Sequence, residues 1–390
     1  MNDIEVRQLR SGVNQIGVRE INERLILSLI QRHGGMPGSE LAKRTDLSAQ
    51  TVSNILRKLE NEGFLKRGAP KRGKVGKPSI PMEIDSDGAL SFGLKIGRRS
   101  SDLAVMDLSG RVLEQRLITY RYPMPDQIFT FLREGMEALA GRLTPYQRKR
   151  LCGIGVAAPS EIWRWSDALG APEDFNIWRE IDFATEIANF SDLPQYTDND
   201  ATAACRAEHF FGRGRAFSDY AYFFIGSFIG GGIVMASSVV EGRQHNAGAF
   251  GSLPHITAEG KEVQLIDAAS LYLLEAAVLK AGGDTAAMWR MPQDWTGFGA
   301  HLDDWITQSA KALASASRTV CSVIDFEAVL IDGAFPADVR ERLVAETRAE
   351  LQALDLRGLI TPRIEPAQIG GNARVIGAAA EPMFSQFFLT

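Results

Sequence analysis

The sequence predicts an α/β protein, in which a small helical region at the N-terminus precedes a longer region where strands and helices alternate. Up to residue 63 apolar residues recur at helical spacing, and from residue 90 the pattern alternates and is rich in β-branched types. Charge divides the chain at a similar place, because residues 1–80 hold 15 of the 43 Lys and Arg but only 8 of the 48 Asp and Glu. We therefore expect two domains, 1–85 and 86–390, of which the first suits a polyanionic partner.

Composition excludes several classes of protein. With 45% hydrophobic and 23% charged residues, the 390-residue chain is neither disordered nor collagen-like. No apolar run approaches the roughly 18 residues that span a bilayer, and the N-terminus is charged where a secretory signal is apolar. We therefore expect a cytoplasmic protein without a membrane partner. Cys152, Cys205 and Cys321 lie far apart, which excludes a disulfide framework and a Cys-x-Cys zinc site.

Three helices are predicted in the N-terminal region. An apolar stripe from Ile21 to Ile30 predicts the first helix, which the glycines after His33 end. Ser39 is expected to cap a short second helix and Ser48 a third. The third helix has an apolar stripe at i, i+3, i+4, i+7 spacing and ends at a glycine expected in the left-handed conformation. These residues are Val52, Ile55, Leu56, Leu59 and Gly63.

The opposite face of the third helix is polar, as a helix that reads base edges and clamps phosphates requires. A Gly-rich basic hairpin from Phe64 to Ile84 follows, so the region predicts a winged helix-turn-helix that binds double-stranded DNA. The candidate DNA contacts are Ser48, Gln50, Thr51, Ser53, Asn54, Arg57 and Lys58 on the helix and Arg72, Lys74 and Lys77 at the wing tip. The alternative is a three-helix dimerisation or docking module with an incidental basic loop.

Strands and helices after residue 90 follow a repeated plan. The predicted strands are 91–97, 102–108, 111–119, 153–157, 194–197, 220–226, 231–238 and 327–332. The predicted helices are 126–142, 178–190, one that begins at Asp200, 263–281, 302–324 and closing helices. Hairpin-linked strands followed by alternating helix and strand, occurring twice, are typical of the actin-like, ribonuclease-H-like ATPase fold, which has two lobes and a cleft.

Ordered motifs over essentially the whole chain resemble the ROK family (repressor, open reading frame, kinase). Residues 198–204 read Asp-Asn-Asp-Ala-Thr-Ala-Ala, similar to the family's Asp-Asn-Asp-Ala-Asn-Ala-Ala signature, and residues 226–234 are similar to its second phosphate loop. Segments 73–78, 246–251 and 374–380 fall where related segments occur in the family. The resemblance implies either a repressor with a DNA-binding head or a sugar kinase.

Departures from the family's kinases favour a regulator. Where the kinases carry Asp-x-Gly-Gly-Thr, whose carboxylate serves the Mg²⁺ of ATP, this chain reads Lys-Ile-Gly-Arg-Arg from Lys95 to Arg99. Phe228 replaces a glycine of the second loop, so the glycines after it are expected to serve strand geometry. We expect ATP to bind poorly or not at all, and we predict no catalytic residue and no cofactor.

The metal and sugar motifs of the family are also altered. The region that carries the family's zinc-binding cysteines corresponds to residues 257–269 here and contains no cysteine, so no metal is predicted. The family's sugar-binding Glu-x-Gly-His appears as Ala-Phe-Gly-Ser at 249–252, so both of its polar side chains are lost. Asp200 is retained at the start of a helix. It either binds a ligand hydroxyl, the interpretation we favour, or only caps the helix. The candidate ligand contacts are Asn199, Asp200, Asn246 and Asp267.

Three tryptophans leave two alternatives open. Trp163, Trp165 and Trp178 lie in the segment that borders the sugar site in members of the family. They could stack on a pyranose face or pack the core of a long loop.

The expected function is repression of carbohydrate-metabolism genes, and a sugar or sugar-derived ligand is expected to relieve it. Ligand binding would bias closure of the two lobes and change the spacing of the DNA-binding heads in a homodimer or homotetramer. The alternatives are a sugar kinase with an appended DNA-binding domain and a ligand-independent DNA-binding protein.

Overall fold

A computed structural model describes residues 15–70, 79–160, 162–165, 172–257, 259–289 and 293–389, without the side chains of residues 15–18, 164 and 165. The chain divides into two compact units. Among the described residues, those up to residue 88 and residues 384–389 form the N-terminal unit, and those from residue 89 to residue 383 form the larger unit. This division falls close to the boundary expected at residue 85, but the assignment of residues 384–389 had no signal in the sequence.

The N-terminal unit contains the three predicted helices and a two-stranded sheet. They are α1 (Gln15–His33), α2 (Gly38–Thr45), α3 (Ala49–Asn61), β1 (Leu65–Arg67) and β2 (Met82–Ile84). The prediction that Ser39 caps α2 is wrong, because the cap position is Pro37 and no side chain bonds the free N–H groups there. The cap of α3 is confirmed, since Ser48 Oγ accepts a hydrogen bond from the Thr51 N–H at 3.1 Å.

Helix α3 is fixed by its apolar stripe and by its C-terminal turn. The four predicted stripe residues are all buried. Gly63 has a φ of 80°, and the Phe64 N–H reaches the Leu59 carbonyl at 2.9 Å, which is the bond of a Schellman motif. A side chain at Gly63 would strain this conformation, so the end of α3 depends on glycine.

The C-terminal residues complete the N-terminal unit. The ring of Phe387 lies 4.9 Å from that of Phe64, and the Leu389 N–H donates to Ser28 Oγ at 2.9 Å. The unit therefore includes residues from both ends of the chain.

The larger unit begins with a five-stranded sheet, the first sheet. Its strands are β3 (Leu90–Ile96), β4 (Ser100–Asp107), β5 (Val112–Thr119), β6 (Leu151–Ala158) and β7 (Gln195–Asn199). Their spatial order is β5-β4-β3-β6-β7, with β3, β6 and β7 parallel and β4 antiparallel to both of its neighbours. The helices here are α4 (Pro125–Arg142), α5 (Pro145–Arg148), α6 (Phe183–Ala188) and α7 (Asp200–Phe211).

A second sheet repeats this plan. Its strands are β8 (Tyr220–Ile225), β9 (Ile229–Met235), β10 (Ser238–Val239), β13 (Ala328–Gly333) and β14 (Arg363–Pro366), in the spatial order β10-β9-β8-β13-β14. The central strands β8, β13 and β14 are parallel and β9 is antiparallel to β8, as in the first sheet. The predicted repeat is therefore confirmed.

The remaining elements surround the second sheet. They are the hairpin β11 (Pro254–Ile256) and β12 (Glu262–Gln264) and the helices α8 (Ile266–Ala269), α9 (Leu271–Lys280), α10 (Gly299–Val323), α11 (Ala337–Ala353) and α12 (Ala373–Phe387). Residues of α12 up to 383 belong to the larger unit. None of the helices in the described segments combines the length and apolar character that crossing a bilayer requires.

Two predicted helices differ from the structure. The helix predicted over 178–190 is a 3-10 segment, Glu173–Arg179, followed by α6, because the Asp182 carboxylate accepts from the Thr185 N–H and starts a new helix. The helix predicted over 263–281 is β12, α8 and α9, divided at the extended residue Ser270. The buried Ser270 Oγ accepts from the Ile229 N–H at 2.9 Å, a tertiary bond that the local pattern does not encode.

Candidate functional site

The outer face of α3 carries polar side chains on a rigid support. Gln50, Ser53, Asn54 and Arg57 are exposed, whereas the neighbouring stripe of the same helix is buried. Gln50 Nε2 donates to Asn54 Oδ1 at 3.0 Å, which orients two side chains able to bond adenine edges. Among the described residues Arg57 has no ion-pair partner, so its guanidinium is free to bind a base or a phosphate.

Three other candidates of this surface already have partners. Lys58 Nζ donates to Glu23 Oε2 at 2.7 Å, and the Ser48 and Thr51 hydroxyls lie 2.8 Å apart. These bonds hold α3 on α1 and close its first turn. A DNA contact by Lys58 would compete with the carboxylate of Glu23.

The wing is built as predicted at its base. Strands β1 and β2 pair in antiparallel register, with Lys66 opposite Glu83, and Met36 forms a bridge to Met82. Arg67 Nε donates to Glu60 Oε1 at 2.8 Å, so this arginine is bonded back to α3. The predicted tip contacts Arg72, Lys74 and Lys77 lie outside the described residues.

A cavity of about 280 Å³ lies in the larger unit, where residues of both sheets and the connections after them meet. Its volume is near the lower end of the roughly 300–1,000 Å³ typical of small-molecule sites. The residues that line it are Arg98, Pro123, Pro159, Ser160, Ile162, Asn199, Asp200, Ala201, Phe224, Ser227, Phe228, Ile229, Gly230, Gly231, Asn246, Ala247, Gly248, Ala249, Gly251, Ser252, Gln264, Ile266 and Arg374.

The structure brings three of the four predicted ligand contacts to this cavity. Asn199, Asp200 and Asn246 line it, whereas Asp267 does not and accepts from the Tyr272 hydroxyl at 2.7 Å. The cap of α7 is Asn199, whose Oδ1 accepts from the Ala201 N–H at 2.9 Å. The cap interpretation of Asp200 is therefore wrong, because its neighbour performs that role.

Asp200 is instead held by a cation. Arg374 Nη1 lies 3.1 Å from Asp200 Oδ2, and the guanidinium of Arg374 stands 4.9 Å from the centre of the Phe224 ring. The Asp200 side chain remains 19% exposed, which leaves carboxylate surface for a ligand hydroxyl. Residues 374–380 had been noted only as a motif, so Arg374 was missed as a cavity residue.

Lys95 fills the place where the resemblance puts the metal-associated carboxylate of the kinases. Its ammonium donates to Asp102 Oδ2 at 2.8 Å and to Ser100 Oγ at 2.9 Å. Burial lowers the pKa of Lys95, and the carboxylate of Asp102 partly opposes this shift. Within the described part of the chain no cluster of His, Cys, Asp and Glu could hold a metal ion.

The glycine run of the second loop has a packing role. Gly230 faces Ala201 and Gly232 faces Cys205, one turn apart on α7, and side chains on these glycines would collide with that helix. The alternate residue, Gly231, lies against the ring of Phe250 on the other face of β9. This close approach supports the strand-geometry interpretation of the run.

The tryptophans stand outside the cavity lining wherever their side chains are described. Trp178 is buried, and its Nε1 donates to the Pro123 carbonyl at 2.9 Å. Trp163 packs half-buried against the core of the first sheet, whereas the side chain of Trp165 lies outside the described residues. Core packing therefore accounts for Trp163 and Trp178.

Family comparisons agree with the two units. Residues 91–265 match the ROK family, and residues 19–66 match the winged helix-turn-helix DNA-binding family. The resemblance stated from the motifs is confirmed.

Sequence relatives include proteins with and without a known role. The uncharacterized protein y4fQ of Sinorhizobium fredii is 26% identical over 371 residues, 94% of this chain and 92% of its own. The DNA-binding transcriptional dual regulator NagC of Escherichia coli is 24% identical over 257 residues, 64% of this chain and 61% of its own. The match to NagC thus leaves more than a third of both chains unaligned.

Solved structures share the fold. A ROK family transcriptional regulator, homologous to the Escherichia coli MLC protein, has a TM-score of 0.66 at 18% identity and covers 95% of this chain and 97% of its own. A ROK family glucokinase from Streptomyces griseus, solved with glucose and AMPPNP, has a TM-score of 0.54 at 20% identity over 75% of this chain and 99% of its own. The predicted actin-like fold is confirmed, and it serves both a regulator and a kinase.

Proposed function

We propose that this chain, which carries a ROK family domain behind an N-terminal winged helix-turn-helix, is a transcriptional repressor whose DNA binding responds to a carbohydrate. The observation that carries the proposal is the outer face of α3, where Gln50, Asn54 and Arg57 are exposed on a helix that the buried stripe holds in place. Such a helix places donors and acceptors in the major groove without a change in the fold.

The cavity supports the carbohydrate half of the proposal. Asp200 and Asn246 offer a carboxylate and an amide to ligand hydroxyls, and Phe228 offers an apolar face. Hydrogen-bonding side chains beside an apolar wall suit a sugar, which has hydroxyl edges and C–H faces. The role of NagC as a DNA-binding transcriptional regulator agrees with the regulatory half of the proposal.

We also propose that the cavity carries out no phosphoryl transfer. Transfer from ATP requires Mg²⁺ beside the phosphates, and the buried Lys95 ammonium, bonded to Asp102 and Ser100, puts a fixed positive charge where a metal-associated carboxylate would stand. A coupled assay should detect no ADP production with any hexose. ADP production that depends on a hexose and disappears in Asp200→Asn would instead establish a kinase.

The regulatory proposal is tested by selecting a duplex from a random library on the full chain. We expect tight binding to the selected sequence, weaker binding to a scrambled one, and release by at least one sugar of a panel. Selective binding that no sugar alters would favour the ligand-independent alternative. Absence of any sequence preference would overturn the assignment of α3.

Oligomeric state belongs to the same proposal. We expect a homodimer or homotetramer, because a paired helix-turn-helix reads two half-sites about 34–36 Å apart. Light scattering on the full chain and the symmetry of the selected duplex test this expectation. Operator binding also requires the protein to be in the same compartment as the DNA, which agrees with the expected cytoplasmic location.

A further inference from the structure

The charges of the cavity do not balance. Among the described residues that line it, only Arg98, Asp200 and Arg374 are charged, which leaves one positive charge in excess. Arg374 and Asp200 are paired at 3.1 Å, so the excess belongs to Arg98. A neutral sugar would leave this charge unmatched.

Arg98 has donors without acceptors. Its side chain is only 14% exposed, and Nε and Nη1 are buried without a hydrogen-bond partner among the described residues. Nη1 lies 3.6 Å from Glu275 Oε2, beyond hydrogen-bond distance, and the guanidinium stands 5.5 Å from the centre of the Phe228 ring. Buried donors that find no acceptor are costly, so this arrangement favours a bound group with oxygen acceptors.

The nearest carboxylate cannot neutralise Arg98 alone. Arg99 Nη2 lies 3.5 Å from Glu275 Oε1, so one glutamate serves two guanidinium groups. Burial lowers the pKa of Arg98, and the positive charge of Arg99 lowers it further, with Glu275 in partial opposition.

We infer that the cavity binds an anionic carbohydrate, whose phosphate or carboxylate group is held by Arg98 while one of its hydroxyls bonds Asp200. Arginine matches both groups because its planar guanidinium donates two parallel hydrogen bonds to their oxygens. The inference rests on the proposed function in one respect, since it takes this cavity as the effector site.

The first test uses inorganic phosphate and needs neither an operator nor an identified sugar. Calorimetry at constant ionic strength compares the full chain with three variants, R98Q, R98K and R99Q. Arg99 shares Glu275 with Arg98 but does not line the cavity, so R99Q is the matched control. We expect R98Q to lower phosphate affinity by about 10-fold or more, R98K to lower it by about 3-fold, and R99Q to leave it unchanged.

Circular dichroism and melting temperature show whether each variant is folded. If R98Q does not fold, the comparison of R98K with R99Q provides the test. Lysine cannot donate two parallel hydrogen bonds to one anion, so the phosphate dissociation constant should rise in R98K and not in R99Q. Phosphate binding that is equal in all folded variants would overturn the inference.

The second test distinguishes the two sources of negative charge. Glucose, glucose 6-phosphate and glucuronate are compared on the full chain and on R98Q. If the full chain prefers glucose 6-phosphate or glucuronate and R98Q loses this preference, the inference is supported and the preferred anionic group is identified. If glucose binds as tightly as both anionic sugars, the inference is wrong, but the proposed repressor function is not affected. Conversely, if the chain binds anions through Arg98 but shows no DNA sequence preference, the proposed repressor function is wrong and the anion site is supported.

Discussion

The outer face of α3 and the hairpin of β3 and β4 both carry a basic side chain, yet they place it differently. Arg57 is exposed on α3, whereas the Lys95 side chain is only 6% exposed and that of its partner Asp102 only 12%. An exposed charge is solvated by water and needs no partner, so it is available to DNA. A buried charge must be matched inside the protein, so its loss costs stability.

The comparison therefore separates two kinds of residue. Substitutions on the outer face of α3 should change DNA affinity and leave the fold intact. Substitutions around Lys95 should lower the free energy of unfolding of the larger unit. The cavity charges Arg98, Asp200 and Arg374 lie between these extremes, because each is partly buried and faces the cavity.

The largest expected effect is that of Lys95→Met. The substitution leaves the Asp102 carboxylate buried without its cation, which typically costs about 3–5 kcal/mol in free energy of unfolding. Urea denaturation of the full chain measures this loss. The double variant Lys95→Met with Asp102→Leu removes both charges and should recover much of it, whereas a double variant less stable than the single one would contradict the assignment of the pair.

The second effect concerns DNA affinity. Asn54→Ala and Arg57→Ala should each weaken binding to the selected duplex by about 1–3 kcal/mol, because each removes a base contact, and should change stability by less than about 0.5 kcal/mol. Electrophoretic mobility shift and urea denaturation measure the two quantities on the same samples. Arg142→Ala, an exposed arginine of the larger unit, is the matched control and should retain full DNA affinity.

The third prediction uses neighbouring residues at the start of α7. Asp200→Ala should lower affinity for the releasing sugar by roughly 1.5–3 kcal/mol, because a ligand hydroxyl loses a charged acceptor. Asn199→Ala removes the helix cap and should lower the free energy of unfolding by about 1 kcal/mol. Calorimetry and melting of both variants check this. A sugar that binds Asp200→Ala as tightly as the parent would move the effector contact elsewhere.

The smallest expected effect is the pH dependence contributed by His33. Burial lowers its pKa below the ordinary value of 6.5, and the nearby Arg44 and Arg32 lower it further. The unfolded chain therefore binds a proton more readily than the folded one, so stability falls as pH decreases through 6.5 toward the folded pKa. Melting from about pH 7.5 to 5.5 should show a slightly steeper decline for the parent than for His33→Gln. Equal slopes of melting temperature against pH in the two proteins would show that His33 does not contribute to the pH dependence of stability.

Local patterns carried most of the secondary structure. The stripe of α3, its Ser48 cap and the glycine at its end could be predicted because each involves residues only a few positions apart. The twofold order of the sheets followed from alternation and hairpin turns. Strand β14 and the hairpin of β11 and β12 were missed, because short strands of three or four residues give too little alternation to detect.

The cavity was predictable only in part. Asp200 and Asn199 were found through a motif, but the motif did not show which of the two caps α7 and which pairs with Arg374. Arg98 was recognised as a departure from a phosphate loop and not as a cavity residue. Its role depends on Phe228 and Glu275, which lie far from it in the sequence.

The sequence by itself determined the division into a basic helical head and an α/β region, the polar face of α3 and the repeated strand plan, because periodicity, capping and composition act over short stretches of chain. Only the tertiary structure decided the partners of the buried charges: Lys95 with Asp102, Asp200 with Arg374, and both Arg98 and Arg99 with Glu275. Solvation and Coulomb attraction depend on distance in space and on burial, and neither quantity is written in the order of the residues.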